Sequence, residues 1–197
     1  MTCEVTPHHL VFTDECLRGF DTDFKMCPPL RAAEDVAALI EGVRDHSIDC
    51  IATDHAPHTE EEKDVEFSYA PDGVIGLESA FGVVYSRLVV EGVIGLPRLI
   101  ALLSTHPARI LRLPLGSLRV GALADLVLLD LDTPYAIDKQ RFYSKARNCP
   151  FHGQKVCGRV ELTMVGGRVV FDRSGGGIQP HGRPGVSAAP RLAGAAS

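Results

Sequence analysis

The sequence has no tryptophan, and aromatic residues make up only 6% of its 197 residues. It also lacks an excess of positive charge, since its formal net charge is −5 and its pI is near 5.9. Proteins that bind nucleic acid generally show a basic face, or stack the bases on aromatic side chains. We therefore expect no nucleic-acid partner.

Long apolar runs and paired cysteines are missing as well. No stretch of eighteen apolar residues occurs, so the sequence predicts no membrane span and no membrane partner. Charged residues and histidines interrupt the first twenty residues, which is untypical of a signal peptide. Six cysteines are present without a CxxC pair, which excludes a zinc ribbon and a thioredoxin-type motif. We expect reduced thiols and a cytoplasmic protein.

Two common metal-binding patterns, HxH and HExxH, do not occur. A catalytic zinc site needs about three protein ligands of the His, Asp, Glu or Cys type. The plausible candidates are Asp54, His55, His58, His8 and His9. Their spacing does not build a closed metal site.

The first part of the chain alternates strand and helix patterns. Residues 2–6 and the apolar run 48–53 predict strands, the second of them buried. Apolar residues at helical spacing predict an amphipathic helix over 33–45. Further helices are expected at 77–91, 96–103 and 107–111. This order is typical of a parallel α/β fold.

The pattern changes beyond residue 113. Strands are predicted at 125–130, 159–164 and 168–172, and a Gly-Gly link between the last two is a hairpin signal. We therefore expect an α/β unit over residues 1–113 and a small β-rich domain over 114–173.

The two ends of the chain differ from an ordinary domain. A strand pattern starts directly after Met1, which is expected of a chain that begins within a fold. Residues 174–197 consist mostly of Gly, Pro, Ala and Ser, which cannot bury enough apolar surface to offset chain entropy. We expect that tail to be disordered.

The strongest candidate for chemistry is the sequence TDHAPH at 53–58. It follows a predicted buried strand, and sites in parallel α/β folds form at the carboxyl ends of strands. A carboxylate there, Asp54, can bind a metal or carry a proton, and two imidazoles follow within four residues. The alternative is that Asp54 caps a turn and the histidines are solvated.

Six motifs occur in order along the chain: EVTPHHL at 4–10, KMCPPLR at 25–31, DCIATDHAPHTEEEK at 49–63, GLESAF at 76–81, ADLVLLD at 124–130 and KARNCPFHGQKV at 145–156. Together they resemble the C-terminal part of a bacterial-type dihydroorotase of the amidohydrolase superfamily. IATDHAPH with PPLR upstream is the specific signature, whereas the later motifs are shared with hydantoinases and allantoinases. The resemblance covers about residues 2–173.

The resemblance implies a metal-dependent (β/α)8 barrel with two zinc ions and a small composite β-domain. This chain would supply about the last two barrel strands and the β-domain, and therefore an incomplete barrel. Asp54 would end the eighth strand, bind metal and act as the general acid and base. The other zinc ligands of the family lie upstream of Met1 in that pattern.

Four further residues would contact the substrate by the same resemblance. They are His58, Cys27, Asp72 and Gly73. Cys27 stands where the family usually has asparagine, and a thiol cannot offer the paired donor and acceptor of an amide. Asp72 stands where the family usually has phenylalanine.

Three functions remain open at this point. The first is a dihydroorotase, which interconverts dihydroorotate and N-carbamoyl-aspartate, present as an N-terminally truncated chain. The second is a hydantoinase or allantoinase. The third is a non-catalytic fragment or subunit that binds a second copy of itself or a partner such as aspartate transcarbamoylase.

Overall fold

A computed structural model describes residues 1–178 of the chain. Its first sheet is the parallel pair β1 (Glu4–Val5) and β2 (Cys50–Ile51), in which Val5 lies opposite Ile51. The strand predictions are confirmed in position and direction, although each strand has only two residues. Backbone bonds continue the pairing beyond both ends, from Asp49 N–H to Cys3 O and from Ala52 N–H to Val5 O.

Helices follow the two strands and pack against them. They are α1 (Pro7–Val11), α2 (Ala33–Arg44), α3 (Glu60–Lys63), α4 (Ala80–Val84), α5 (Leu96–Ile100) and α6 (His106–Ile110), with short 3-10 turns at Asp14–Gly19, Thr22–Phe24 and Lys139–Arg141. The helix predicted at 33–45 is confirmed as α2. Thr6 caps α1, because its hydroxyl accepts the His9 N–H, and Thr59 caps α3 in a reciprocal arrangement with Glu62.

The prediction of a break between residues 103 and 107 is wrong. A π-helical turn, Ala101–Thr105, joins α5 to α6 without leaving helical backbone angles. Proline lacks the N–H that the interior of an α-helix needs. The wider π-helical turn before Pro107 keeps backbone groups hydrogen-bonded, since the His106 N–H donates to the Ala101 carbonyl. A similar turn, Tyr85–Val90, extends α4.

The second half of the described chain is antiparallel, as the sequence predicts. The strands are β3 (Leu126–Asp130), β4 (Tyr135–Ala136), β5 (Lys155–Val156), β6 (Arg159–Val165), β7 (Arg168–Asp172) and β8 (Gly177–Ile178). The larger sheet has the strand order β3-β6-β7-β8, and a separate ribbon pairs β4 with β5. Gly166 and Gly167 form the two-residue turn of the β6–β7 hairpin, and both have positive φ angles that favour glycine.

The predicted disordered tail starts too early in the chain. Gly177–Ile178 form β8, which pairs with the end of β7, and the Ile178 N–H donates to the Tyr143 hydroxyl at 3.1 Å. Two strand pairings and one side-chain acceptor therefore hold Gly177 and Ile178 in place, although their composition predicted disorder. The rest of the predicted tail, 179–197, lies outside the described residues.

Two apolar cores hold the elements together. The first packs β1 and β2 against the helices, with Leu10, Leu88 and Leu99 fully buried. The second contains Phe12, Ile75 and Phe151, and it joins the loops after β1 and β2 to the segment between β4 and β5. The loops that carry the predicted site residues are thus anchored by residues far along the chain.

No helix within residues 1–178 is long and apolar enough to cross a membrane. The six cysteines, all within the described part of the chain, are free thiols.

Candidate active site

Asp54 lies three residues beyond β2, at the carboxyl end of the parallel pair. Its side chain is exposed and makes no hydrogen bond or ion pair to any described residue. Its backbone is left-handed, with φ at 48°, a conformation that costs most residues about 1–2 kcal/mol. Aspartate and asparagine adopt this conformation more readily than most other residues. The sequence contains no signal for this backbone, because aspartate is common in ordinary turns as well.

His55, the next residue, has a structural role that its position in the motif does not reveal. Its Nδ1 accepts hydrogen bonds from the backbone N–H groups of Gly76 at 3.1 Å and Leu77 at 3.4 Å. It also forms a parallel bridge with Val74. His55 therefore fixes the end of the long loop that follows β2.

His58 is held at both ring nitrogens. Its Nε2 donates to the carbonyl oxygen of Asp72 at 3.0 Å, and its Nδ1 lies 3.3 Å from the Glu62 carboxylate. The pKa of Glu62 is lowered, first by the hydrogen bond from the Thr59 N–H and then by His58. A substrate contact through either nitrogen of His58 would have to replace one of these bonds.

Gly73 and Asp72 lie directly against His58. Gly73 is buried with φ at 120°, and its N–H donates to the Lys25 carbonyl at 2.9 Å. A Cβ atom at Gly73 would lie 2.5 Å from the Cβ of Ala56, so only glycine fits. The Asp72 side chain is exposed, and its carbonyl accepts the His58 bond.

Cys27 is an exposed free thiol on the segment next to Gly73. That segment is bound at Lys25, as described, and at Pro28, whose carbonyl accepts a bond from His9 Nε2 at 2.9 Å. The structure therefore brings His58, Gly73 and the Cys27 segment together with Asp72. Asp54 shares no hydrogen bond with any of them.

His8 and His9, two of the candidate metal ligands, are neighbours on a helix. Both residues lie in α1, and their ring centroids are 4.5 Å apart. His9 bridges the Thr6 hydroxyl, at 2.7 Å, and the Pro28 carbonyl. His8 is 2% exposed, and its Nε2 has no partner within the described chain.

No group of three or more His, Cys, Asp or Glu side chains within residues 1–178 is arranged to hold a metal ion. Of the predicted ligands, only Asp54 is positioned at a strand end with a free carboxylate. The described residues therefore do not fit a two-metal site by themselves.

Sequence reasoning missed two buried residues that shape this site. Lys63 and Asn148 donate to the carbonyls of the loop that carries Asp72 and Gly73. Asn148 belongs to a recognised motif at 145–156, but its separation of 90 residues from His58 hides the contact.

Replacing Gly73 with alanine is expected to lower the free energy of unfolding by about 3 kcal/mol. This loss combines the cost of the positive φ angle for alanine with the cost of the clash between its Cβ and Ala56. Urea denaturation checks this. Gly153→Ala is the matched control, since Gly153 has φ at 81° with open space around it and isolates the backbone cost of about 1–2 kcal/mol. Equal losses for the two variants would contradict the predicted clash.

His8 should make the fold sensitive to acid. Burial, with a smaller contribution from His9, lowers its pKa from 6.5 to about 3. Between these two values the unfolded chain binds a proton that the folded chain does not. As the pH falls through this interval, His8 should therefore lower the free energy of unfolding by about 1.4 kcal/mol for each pH unit.

The comparison of wild type with His8→Met isolates this contribution, since other titrating groups are common to both. Urea denaturation between pH 7 and pH 4 should give a steeper loss of stability for the wild type. Parallel pH curves would show that His8 does not titrate in this way.

Known proteins resemble most of this chain. The amidohydrolase family model matches residues 5–170. The dihydroorotase of Pelotomaculum thermopropionicum is 51% identical over 171 residues, and that of Bacillus subtilis is 47% identical over 172. Each match covers 87% of this chain but 40% of the relative. The chain thus spans about two fifths of the length of these relatives.

Solved structures agree at the level of fold. The L-hydantoinase (dihydropyrimidinase) from Arthrobacter aurescens superposes with a TM-score of 0.82 at 34% sequence identity, over 87% of this chain and 39% of that one. A D-hydantoinase (dihydropyrimidinase) from Thermus sp. gives 0.80 at 25% identity. With the family model matching over more than four fifths of the sequence, the chain belongs to the amidohydrolase family.

Proposed function

We propose that this chain is the C-terminal portion of a dihydroorotase-type cyclic amide hydrolase. The reaction is the reversible hydrolysis of dihydroorotate to N-carbamoyl-aspartate, a step of de novo pyrimidine biosynthesis. The observation that carries this proposal is the unpartnered carboxylate of Asp54, presented at a parallel strand end. The dihydroorotases at about half identity support the choice of substrate.

In this proposal β1 and β2 are the last two strands of a (β/α)8 barrel, which this chain leaves incomplete. Residues 1–113 would be barrel, and the antiparallel sheet β3-β6-β7-β8 would belong to a small composite β-domain over 114–173. The parallel pairing of β1 with β2 and the change to antiparallel pairing after α6 support this division.

Asp54 would carry the proton in both halves of the reaction. Its carboxylate takes a proton from the attacking water as oxygen bonds to the ring carbonyl carbon. It then delivers that proton to the ring nitrogen as the C–N bond breaks, so that the carboxylate is restored. A positioned acid and base of this kind contributes a factor of about 10²–10⁴ to the rate.

Four residues would hold the substrate beside Asp54. They are His58, Cys27, Asp72 and Gly73. The hydrogen bonds among His58 and the Asp72–Gly73 backbone support a common binding surface, with the Cys27 segment adjoining it. The exposed thiol of Cys27 can offer the substrate one weak donor.

Amidohydrolases of this type generally use a metal, and we propose zinc as its identity. Asp54 would be one ligand. The remaining ligands would come from segments that residues 1–178 do not contain, since these residues form no metal cluster of their own. The upstream part of the barrel would supply these ligands. A second copy of this chain, or a subunit such as aspartate transcarbamoylase, would be a further partner.

A hydantoinase-type activity is the second candidate, favoured by the superposition on the L-hydantoinase from Arthrobacter aurescens. Dihydroorotate carries a carboxylate that hydantoin lacks, so recognition of that group separates the two functions. A non-catalytic subunit is the third candidate, and the missing metal cluster within residues 1–178 favours it.

A chimera tests the proposal. The part of the Pelotomaculum thermopropionicum dihydroorotase that precedes the matched region is fused to Met1 of this chain, and conversion of dihydroorotate to N-carbamoyl-aspartate is measured. We expect turnover by the zinc-loaded chimera and none by the upstream segment alone. A folded, metal-loaded chimera without turnover would contradict the proposed function.

A further inference from the structure

The loop Ala70–Gly73 is bound by four side chains from three separate parts of the chain. Each of its four carbonyl oxygens accepts a hydrogen bond from a side-chain nitrogen. The pairs are Lys25 Nζ to Ala70 O at 2.6 Å, Lys63 Nζ to Pro71 O at 3.0 Å, His58 Nε2 to Asp72 O at 3.0 Å and Asn148 Nδ2 to Gly73 O at 3.1 Å. The loop has no helix or strand of its own, so these donors determine its shape.

Both the oxygen and the nitrogen of the Asn148 side-chain amide form hydrogen bonds to the backbone of residues 56–58 and of Gly73, in the segment after β2. Asn148 is the single asparagine of the chain and is 3% exposed. Its Oδ1 accepts the His58 N–H at 3.2 Å, and its Nδ2 donates to Ala56 O at 2.9 Å and to Gly73 O. Its backbone carbonyl accepts the Ile75 N–H at 3.0 Å.

The backbone around Asn148 is anchored in the protein core. Its neighbours Ala146, Cys149 and Phe151 are buried in the second core. An amide is the side chain that both accepts one bond and donates two. A buried amide that lost these partners would be left unsatisfied at a considerable cost.

Lys63 also binds this loop. Its Nζ donates to Pro71 O and, at 3.2 Å, to Gly73 O, and the residue is 6% exposed. Burial lowers the pKa of Lys63, while Asp23, Asp72 and Asp21 oppose that change and Lys25 adds to it. Lys63 and Asn148 therefore converge on the Gly73 carbonyl.

We propose that Asn148 is a positioning residue for substrate binding, which fixes His58 relative to the Asp72–Gly73 backbone, with Lys63 as its second support. The proposal rests on the proposed function, since it takes these loops as the substrate-binding surface. Asn148 touches no reacting atom in this account. Its removal should therefore weaken substrate binding more than it slows the chemical step.

The first test uses the chain itself and needs no activity. The substitution Asn148→Asp keeps the Oδ1 acceptor and replaces the donor with an oxygen that faces two carbonyls. In the ¹⁵N-histidine NMR spectrum we expect the ring signals of His58 to move, while those of exposed His46 stay unchanged. Gln140→Glu, the same change at an exposed amide, should leave both unchanged.

The second test uses the chimera. For Asn148→Asp we expect KM for dihydroorotate to rise about tenfold, the equivalent of about one hydrogen bond, with kcat within about twofold. Lys63→Met should also raise KM. If Asn148→Asp does not fold, KM of Lys63→Met tests the proposal in its place. Gln140→Glu should leave both constants unchanged.

The outcomes separate the two proposals. A loss of stability in Asn148→Asp with unchanged KM and unchanged His58 signals would overturn the positioning role, as would an unchanged KM in folded Lys63→Met. A chimera inactive on dihydroorotate would instead overturn the proposed function. The His58 spectrum would then decide alone whether Asn148 positions that residue.

Discussion

The chain on its own is expected to show no ring-opening activity on dihydroorotate, and only weak zinc binding. Asp54 is the one free strand-end carboxylate among the predicted ligands, and residues 1–178 contain no group of three ligands for a metal. A catalytic zinc site needs about three protein ligands. Joining the upstream segment of a relative should supply the missing ligands.

Metal content after dialysis and turnover of dihydroorotate measure this directly, with the chain and the chimera prepared side by side. The upstream segment alone is the control for activity that the relative contributes. Turnover by the purified chain, unchanged in an Asp54→Asn variant, would indicate a contaminant. Turnover that this variant abolishes would contradict the account.

Asp54→Asn in the chimera should lower kcat by a factor of about 10²–10⁴, the usual contribution of general acid–base catalysis. The amide keeps the shape and one oxygen of the carboxylate but cannot carry the proton. Asparagine also tolerates the left-handed backbone found at this position, so folding should be unaffected. Metal content should fall less than kcat, because the other ligands remain.

The matched control is Asp132→Asn, the same change at an exposed aspartate after β3. His55 is unsuitable as a control because its Nδ1 holds the Gly76 and Leu77 backbone. If Asp54 only capped its loop, asparagine would replace it with little effect. Near-normal kcat with intact metal content would therefore overturn the assignment.

Local sequence patterns predicted the elements whose bonds are local or repetitive. Apolar spacing placed α2 within one residue, and the Gly166-Gly167 pair located the β6–β7 turn. The alternation of strand and helix also indicated the parallel pair correctly. The apolar run 48–53 is longer than β2, because apolar residues indicate burial and do not show where the hydrogen bonds between strands end.

Features that depend on distant partners could not be predicted in this way. The order of β8 comes from β7 and Tyr143, not from its own composition. The contacts of Asn148 with the His58 loop span 90 residues, and no periodicity links them. The left-handed backbone of Asp54 likewise has no signal in the neighbouring sequence.

The substrate preference of the chimera distinguishes a dihydroorotase from a hydantoinase or an allantoinase. We predict that kcat/KM for dihydroorotate exceeds that for hydantoin and for allantoin, which lack the ring carboxylate, by at least about 10³-fold. Because the relative's segment contributes to this preference, the same ratio is measured in the intact relative, and the two should agree within about tenfold. A chimera that opens hydantoin or allantoin faster than dihydroorotate would contradict the account.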